Sequence, residues 1–213
     1  IPMGYDTVEK LATPEVNNEF KGEIVPSAGA EIYLRHDLTL APVKAYLWKG
    51  VEGAKEKEFG KVIITKEFAS GEEMIVKPGE TLVVDFGQNC AGVPSFVFKA
   101  TEGTQLSCLP SELLNDGNGA ESRGMDGPEG SVHRLNLRIP ETGMLLDYTF
   151  GCGNDYVAYH PSHTFYGYRF VSITATDEVS IKSLTSIPVT SIAKEMEIGT
   201  ITTGNELINK LIA

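Results

Sequence analysis

The chain has 213 residues, 41% of them hydrophobic and 22% charged, enough for one good core with a small appendage. Eighteen basic residues against twenty-nine acidic ones leave a formal charge of -11, and such an acidic surface repels phosphate backbones and anionic membranes, so nucleic acid is set aside as a partner. No apolar run approaches the roughly 18 residues that a membrane span needs.

The opening "IPMGYDTVEK" lacks an initial Met, a basic stretch and an apolar stretch. It is therefore not a signal peptide, and the chain reads as a piece of a longer protein. Residues 1–29 have weak periodicity and read as a lead-in segment. From 30 to 202 the dominant signal is short β-rich runs: "AEIYLRHDLTL", "VKAYLW", "KVIITKEF", "TLVVDFG", "SFVFKA", "TQLSCL", "LLDYTF", "YRFVSITAT" and "SIKSLTSIPVT". Turn signals such as "KPGE", "TEGT" and "NDGNG" fall between them. This spacing predicts an all-β fold, an antiparallel β-sandwich of jelly-roll type. Residues 203–213, "TTGNELINKLIA" from its second Thr, read as a short C-terminal helix. Thr203 and Glu206 have capping-box spacing, and Leu207, Ile208, Leu211 and Ile212 form an apolar stripe that expects a partner face.

Two stretches invite a functional reading. In "HPSHTFYGYRF", His160 and His163 are possible metal ligands, but the spacing sends them to opposite faces of an extended strand and no third ligand is near. Phe165, Tyr166, Tyr168 and Phe170 are possible sugar-stacking rings, though strand alternation divides them. A bulge at Gly167 would put Arg169, Val171 and Ile173 on the face of Tyr166. A buried Arg169 then needs a carboxylate, and Glu112 is the expected partner in a structural pair. The second stretch is the long polar loop Asn115–Ser131. Asp116, Asn118 and Asp126 have the oxygen type for calcium, but the full loop pattern is absent and a tight turn explains them. Arg123, Asp126 and Glu129 are expected to face another domain of the same protein.

Glycosidases need two carboxylates roughly 5–10 Å apart. Glu112, Asp116, Asp126, Glu129, Asp147 and Asp155 are present, and nothing in their spacing selects a pair. No nucleophile elbow, zinc-helix, P-loop or dinucleotide motif occurs, so no catalytic residue, metal or cofactor is assigned. Cys90, Cys108 and Cys152 allow at most one internal disulfide, and small core residues explain them as well.

Several segments together resemble one family. "VVDFGQNCAGVPSFVFKATEGTQLSCLPSELLNDGNG" is similar to the non-catalytic, concanavalin-like β-sandwich of bacterial α-L-rhamnosidases, glycoside hydrolase family 78, through Asp85, Phe86, Gly87, Asn89, Ala91, Gly92, Glu112, Leu113, Asp116 and Gly117. "DGPEGSVHRLNLR" and "HPSHTFYGYRFVSITA" continue it, the latter through Phe165, Tyr166, Gly167, Tyr168, Arg169 and Phe170. Cys90 departs from the family pattern, and so does the order of Thr164 and Phe165. The resemblance implies an accessory domain that hydrolyses nothing itself. It implies that residues 203–213 begin a helical catalytic domain that continues beyond residue 213, a rhamnose-containing glycan as the parent's substrate, and an extracytoplasmic location. The rival readings are a carbohydrate-binding module, or a domain of another carbohydrate-active enzyme.

Overall fold

The computed structural model describes residues 21–23, 29, 31–56, 58–117, 126–134, 145–151, 153 and 155–212. The chain divides into two units, Ile1–Glu31 and Ile32–Ala213. The first, and with it the expected lead-in, lies almost wholly outside the described residues. The second is the β-sandwich. Its strands are β1 (Tyr33–Leu34), β2 (Lys44–Glu52), β3 (Lys61–Glu67), β4 (Met74–Val76), β5 (Thr81–Ala100), β6 (Gln105–Ser111), β7 (Leu146–Thr149), β8 (Val157–Tyr159), β9 (Tyr166–Ala175) and β10 (Val179–Thr190), followed by helix α1 (Glu206–Ile212). Every pairing between these strands is antiparallel.

The runs "TLVVDFG" and "SFVFKA", expected as two strands, are one. β5 continues for 20 residues and serves both layers of the sandwich. Its first part, Thr81–Asp85, lies between β2 and the second half of β9. Its later part, Gly92–Ala100, pairs with β10, and Phe96–Phe98 also pairs with β8. The sheet thus curls over itself. One layer runs β3-β2-β5-β9-β6-β7; the other holds β10, the far half of β5 and the short strands β1, β4 and β8. The expected strand at "AEIYLRHDLTL" shrinks to two residues and a 3-10 turn at His36–Leu38. β4 and β8, at three residues each, are too short for alternation to announce them.

Leu82, Val84, Phe96, Phe98, Leu106, Cys108, Val171, Ile173, Ile181 and Leu184 fill the space between the layers. Phe98 is the hub of its aromatic part, meeting Phe96, Tyr148 and Phe150 edge-to-face at centroid distances of 5.1, 4.9 and 4.8 Å. Such contacts add to the area that each ring removes from water. A second cluster of Tyr46, Val62, Val83, Val132 and Phe170 covers the outer face of the first layer.

The described ends of the long polar loop Asn115–Ser131 approach that second cluster. Asn115 is buried and Val132 enters the cluster. The Tyr46 hydroxyl donates to the Gly130 carbonyl at 2.7 Å, the Val62 amide donates to the Glu129 carbonyl at 3.0 Å, and the Glu129 amide donates to the Gly60 carbonyl at 2.8 Å. Burial pushes the Tyr46 hydroxyl up to about 12, so it stays a donor at any ordinary pH. The described part of the loop is a lid over a small core, held by these hydrogen bonds and by Val132 just after it.

The cap of α1 also differs from expectation. Asn205, not Thr203, caps it: Asn205 Oδ1 accepts from the amides of Leu207 and Ile208 at 2.9 and 3.4 Å. Thr203 Oγ1 instead accepts from the Asn205 amide, one step earlier. The stripe residues Leu207, Ile208, Leu211 and Ile212 are all exposed.

The hub position of Phe98 gives a stability test. Phe98→Ala should lower unfolding free energy by about 3–5 kcal/mol, through lost burial plus the cavity left behind. Urea denaturation followed by fluorescence would read it as a shifted midpoint at unchanged slope.

Candidate functional site

The residues singled out in "DFGQNCAG" and "FYGYRF" meet at the bend where β5 and β9 pass from one layer to the other. On β9, Tyr166 and Tyr168 face the main core, and so do Val171 and Ile173. The alternation therefore slips by one residue between them, at Arg169 and Phe170, not at Gly167 as expected. On β5 the same slip takes up more chain: Asp85 stands opposite Phe170 and Cys90 opposite Tyr168. Residues 86–89 thus stand against the single Arg169: Phe86 packs into the core edge-to-face on Tyr168 at 5.8 Å, and 87–89 turn outward. Gly87 sits in the left-handed region at φ 77, and a Cβ there would press to 3.0 Å from a Val43 methyl.

The slip places Arg169 beside Asp85, and this corrects the expected pairing. The guanidinium forks onto the carboxylate, Nε to Oδ1 and Nη2 to Oδ2, both at 2.8 Å. It also lies over the Phe170 ring, 4.9 Å from the centroid. Glu112 does flank β9, because Ser111 pairs with Phe170. Its Oε1, however, accepts from Asn89 Nδ2 at 3.1 Å and lies over Gly167. Nor is Arg169 deeply buried: its side chain keeps 41% of its surface, against 15% for Asp85.

Asp85 is the organising acid of the bend. Besides the fork, its Oδ1 accepts from the Gly87 amide at 2.7 Å. Partial burial works to raise its carboxyl, but the Arg169 fork and the Gly87 amide outweigh burial, and the net shift is downward. Behind the fork, the Tyr168 hydroxyl donates to Ser186 Oγ at 2.7 Å, and Cys90 Sγ lies 3.5 Å from the same oxygen. Sequence reasoning missed Asp85 as the partner. Its signal was present: an acid ending a β-run, two residues before a glycine, is the pattern for a carboxylate that folds back on its own backbone.

The other expected residues scatter. Of the four aromatics, Tyr166, Tyr168 and Phe170 are buried in two different clusters, and Phe165 alone is exposed. They form no common platform. His160 Nδ1 lies 3.2 Å from the Pro161 carbonyl, and His163 is exposed in a left-handed conformation. Asp126 turns inward, with its Oδ2 accepting from the Arg134 amide at 2.7 Å and its Oδ1 3.3 Å from His133 Nδ1, both side chains buried. Glu129 is half-exposed and pairs with Lys61 at 3.0 Å. Arg123, Asn118 and Cys152 lie outside the described residues. Among the described residues, no three His, Cys, Asp or Glu side chains converge as a metal site. A groove of about 250 Å³ runs past Phe68, Glu72 and Lys182, but the Glu72 carboxylate is taken up by Lys66 and the Ala69 amide.

A family model described as the bacterial alpha-L-rhamnosidase concanavalin-like domain matches residues 75–190, which include the whole bend. An alpha-L-rhamnosidase of Alteromonas sp. (strain LOR) is 30% identical over 99 residues, 46% of this chain and 9% of that protein. One of Streptomyces avermitilis is 31% identical over 116 residues, 54% of this chain and 10% of that protein. The chain thus matches about a tenth of the length of these relatives. A solved rhamnosidase from Klebsiella oxytoca with rhamnose bound superposes with a TM-score of 0.48 at 12% identity, covering 76% of this chain and 30% of that one.

The fork makes an acid-sensitive contribution. A carboxyl held below its unfolded value adds stability that is complete above that value, about 3.9 for Asp, and is lost as pH falls through the folded value. Asp85→Asn should cost about 1–2 kcal/mol at neutral pH, a figure kept low because water screens the half-exposed Arg169. Denaturation midpoints measured from neutral pH to about pH 2 should show wild type and variant converging in acid.

Proposed function

This chain belongs to the bacterial α-L-rhamnosidase concanavalin-like domain family, and we propose that it serves as the accessory, non-catalytic sandwich of a larger extracytoplasmic enzyme. That enzyme would remove terminal α-L-rhamnose from a glycan by means of carboxylates on a helical domain elsewhere in the same protein. The observation that carries the proposal is the match over residues 75–190, coupled to the small share of each relative that the chain represents.

The employment of the acids supports it. Asp85 holds Arg169, Glu112 accepts from Asn89, Asp126 binds its own loop, Glu129 meets Lys61 and Asp147 accepts from Ser107. Each is occupied in holding the fold, whereas a glycosidase needs one acid to give a proton and another to act at the far side of the bond. The dispersal of the aromatics weighs against the carbohydrate-module reading, which needs exposed rings in one plane.

The test is hydrolysis of an aryl α-L-rhamnoside. The purified chain should release no aryl group above the buffer rate, while a longer form of the protein that carries the helical domain should turn over. Activity that follows the 213-residue chain through purification and disappears on replacing one of its acids would overturn the proposal.

A further inference from the structure

After β10 the chain leaves the sandwich through residues 191–205, which contain only a 3-10 turn at Lys194–Met196 before α1 begins. This segment is poor in holding contacts. Met196, Ile198 and Ile201 are exposed, Ile198 almost completely at 94%. Its backbone bonds are local, from Met196 to Ala193, Glu197 to Lys194 and Ile198 to Met196. The bonds around the helix start, among Thr203, Asn205 and Asn209, are local too.

Among the described residues, the hydrogen bonds and ion pairs that tie 193–212 to the sandwich all run to Arg35 and Asp37. Arg35 is rooted in the fold: it follows β1, its amide donates to the Pro188 carbonyl at 2.9 Å, and it is 5% exposed. Its guanidinium works in two directions. Nε and Nη2 fork onto Asp37 at 2.9 Å each. Nη1 reaches the leaving segment, donating to Glu197 Oε1 at 2.7 Å and to the Ile192 carbonyl at 3.4 Å. Lys194 Nζ closes the ring at 3.9 Å from Asp37.

We propose that Arg35 is a clasp that fixes the direction in which the chain leaves the sandwich, and so decides where α1 and whatever follows it are carried. The chemistry suits the task. A planar guanidinium holds two acceptors in set directions at once, which a lysine ammonium does not. The Asp37 arm orients the plane, and the Glu197 arm uses that orientation to hold a segment with few other ties. Arg35 keeps the Asp37 carboxyl down at about 2, so this anchoring arm remains charged. The clasp lies apart from the bend at Asp85 and does not depend on what the parent protein hydrolyses.

The experiment uses the 213-residue chain, with backbone amide relaxation and residual dipolar couplings measured by NMR. In wild type, α1 should show one orientation relative to the strands, with order parameters for 194–198 near those of the sheet. In Glu197→Ala, which removes an exposed acceptor and leaves the core untouched, the couplings of α1 should fall by about half or more. The order parameters of 194–198 should drop from roughly 0.8 toward or below 0.6 while those of the strands hold. Arg35→Ala should do the same and Arg35→Lys should fall between. Unchanged α1 couplings in Glu197→Ala would overturn the clasp, even if Arg35→Ala lowers the unfolding midpoint, for Arg35 would then be an ordinary stabilising residue. Couplings already averaged in wild type would overturn it as well.

Discussion

The Asp85–Arg169 fork stands where two strands must change layers at the same place. β5 and β9 run side by side through the bend, and their faces must slip together if each is to keep apolar residues against the core in both layers. A slip without a fixed partner would leave the register loose. The fork binds the residue at the slip on β9 to the last regular residue on β5, and the Gly87 amide joins the same carboxylate. Phe170 then drops into the second cluster while Val171 returns to the first. A single carboxylate thus fixes where one strand stops serving one layer and begins serving the other. This also explains why the residues that carry the family resemblance gather there.

The second cluster gives the sandwich a lid on one outer face. Tyr46, Val62, Val83 and Phe170 would otherwise present apolar surface to water on the far side of the first layer. The segment around Gly130 and Val132 covers them, secured by the Tyr46 hydroxyl and by the inward turn of Asp126. Arg35 does the corresponding work at the exit of the chain with charge in place of apolar area. One device excludes water; the other orients a segment that has little to bury.

The class of fold was legible in the amino-acid order because it rests on local periodicity. Alternation in "TLVVDFG", "SFVFKA" and "YRFVSITAT" marks strands whatever they pair with, and Gly, Pro and Asp-Gly pairs mark where the chain turns. The apolar stripe of Leu207, Ile208, Leu211 and Ile212 marked the helix for the same reason, though its cap moved two residues because Thr203 and Asn205 both offer a side-chain oxygen and geometry chose between them.

What tertiary structure decided was partnership. Glu112 and Asp85 both flank β9, one from each side, and only the slip of register turned Arg169 toward Asp85. Gly167, the residue that looked like the source of the slip, sits regularly between two core tyrosines; the slack was taken up on the other strand, where residues 86–89 stand against the single Arg169. The loop around Asp126 was polar in composition yet buried its acid, because apolar area on a neighbouring layer needed covering. Arg35 and Glu197 lie 162 residues apart, and no local pattern links them. Sequence by itself determined which stretches favour strand, turn or helix, since those preferences follow from neighbours along the chain, while the exact bounds of β1, β5 and α1 did not. Which charged side chains meet was left to the curl of the sheet, since that contact is made across it.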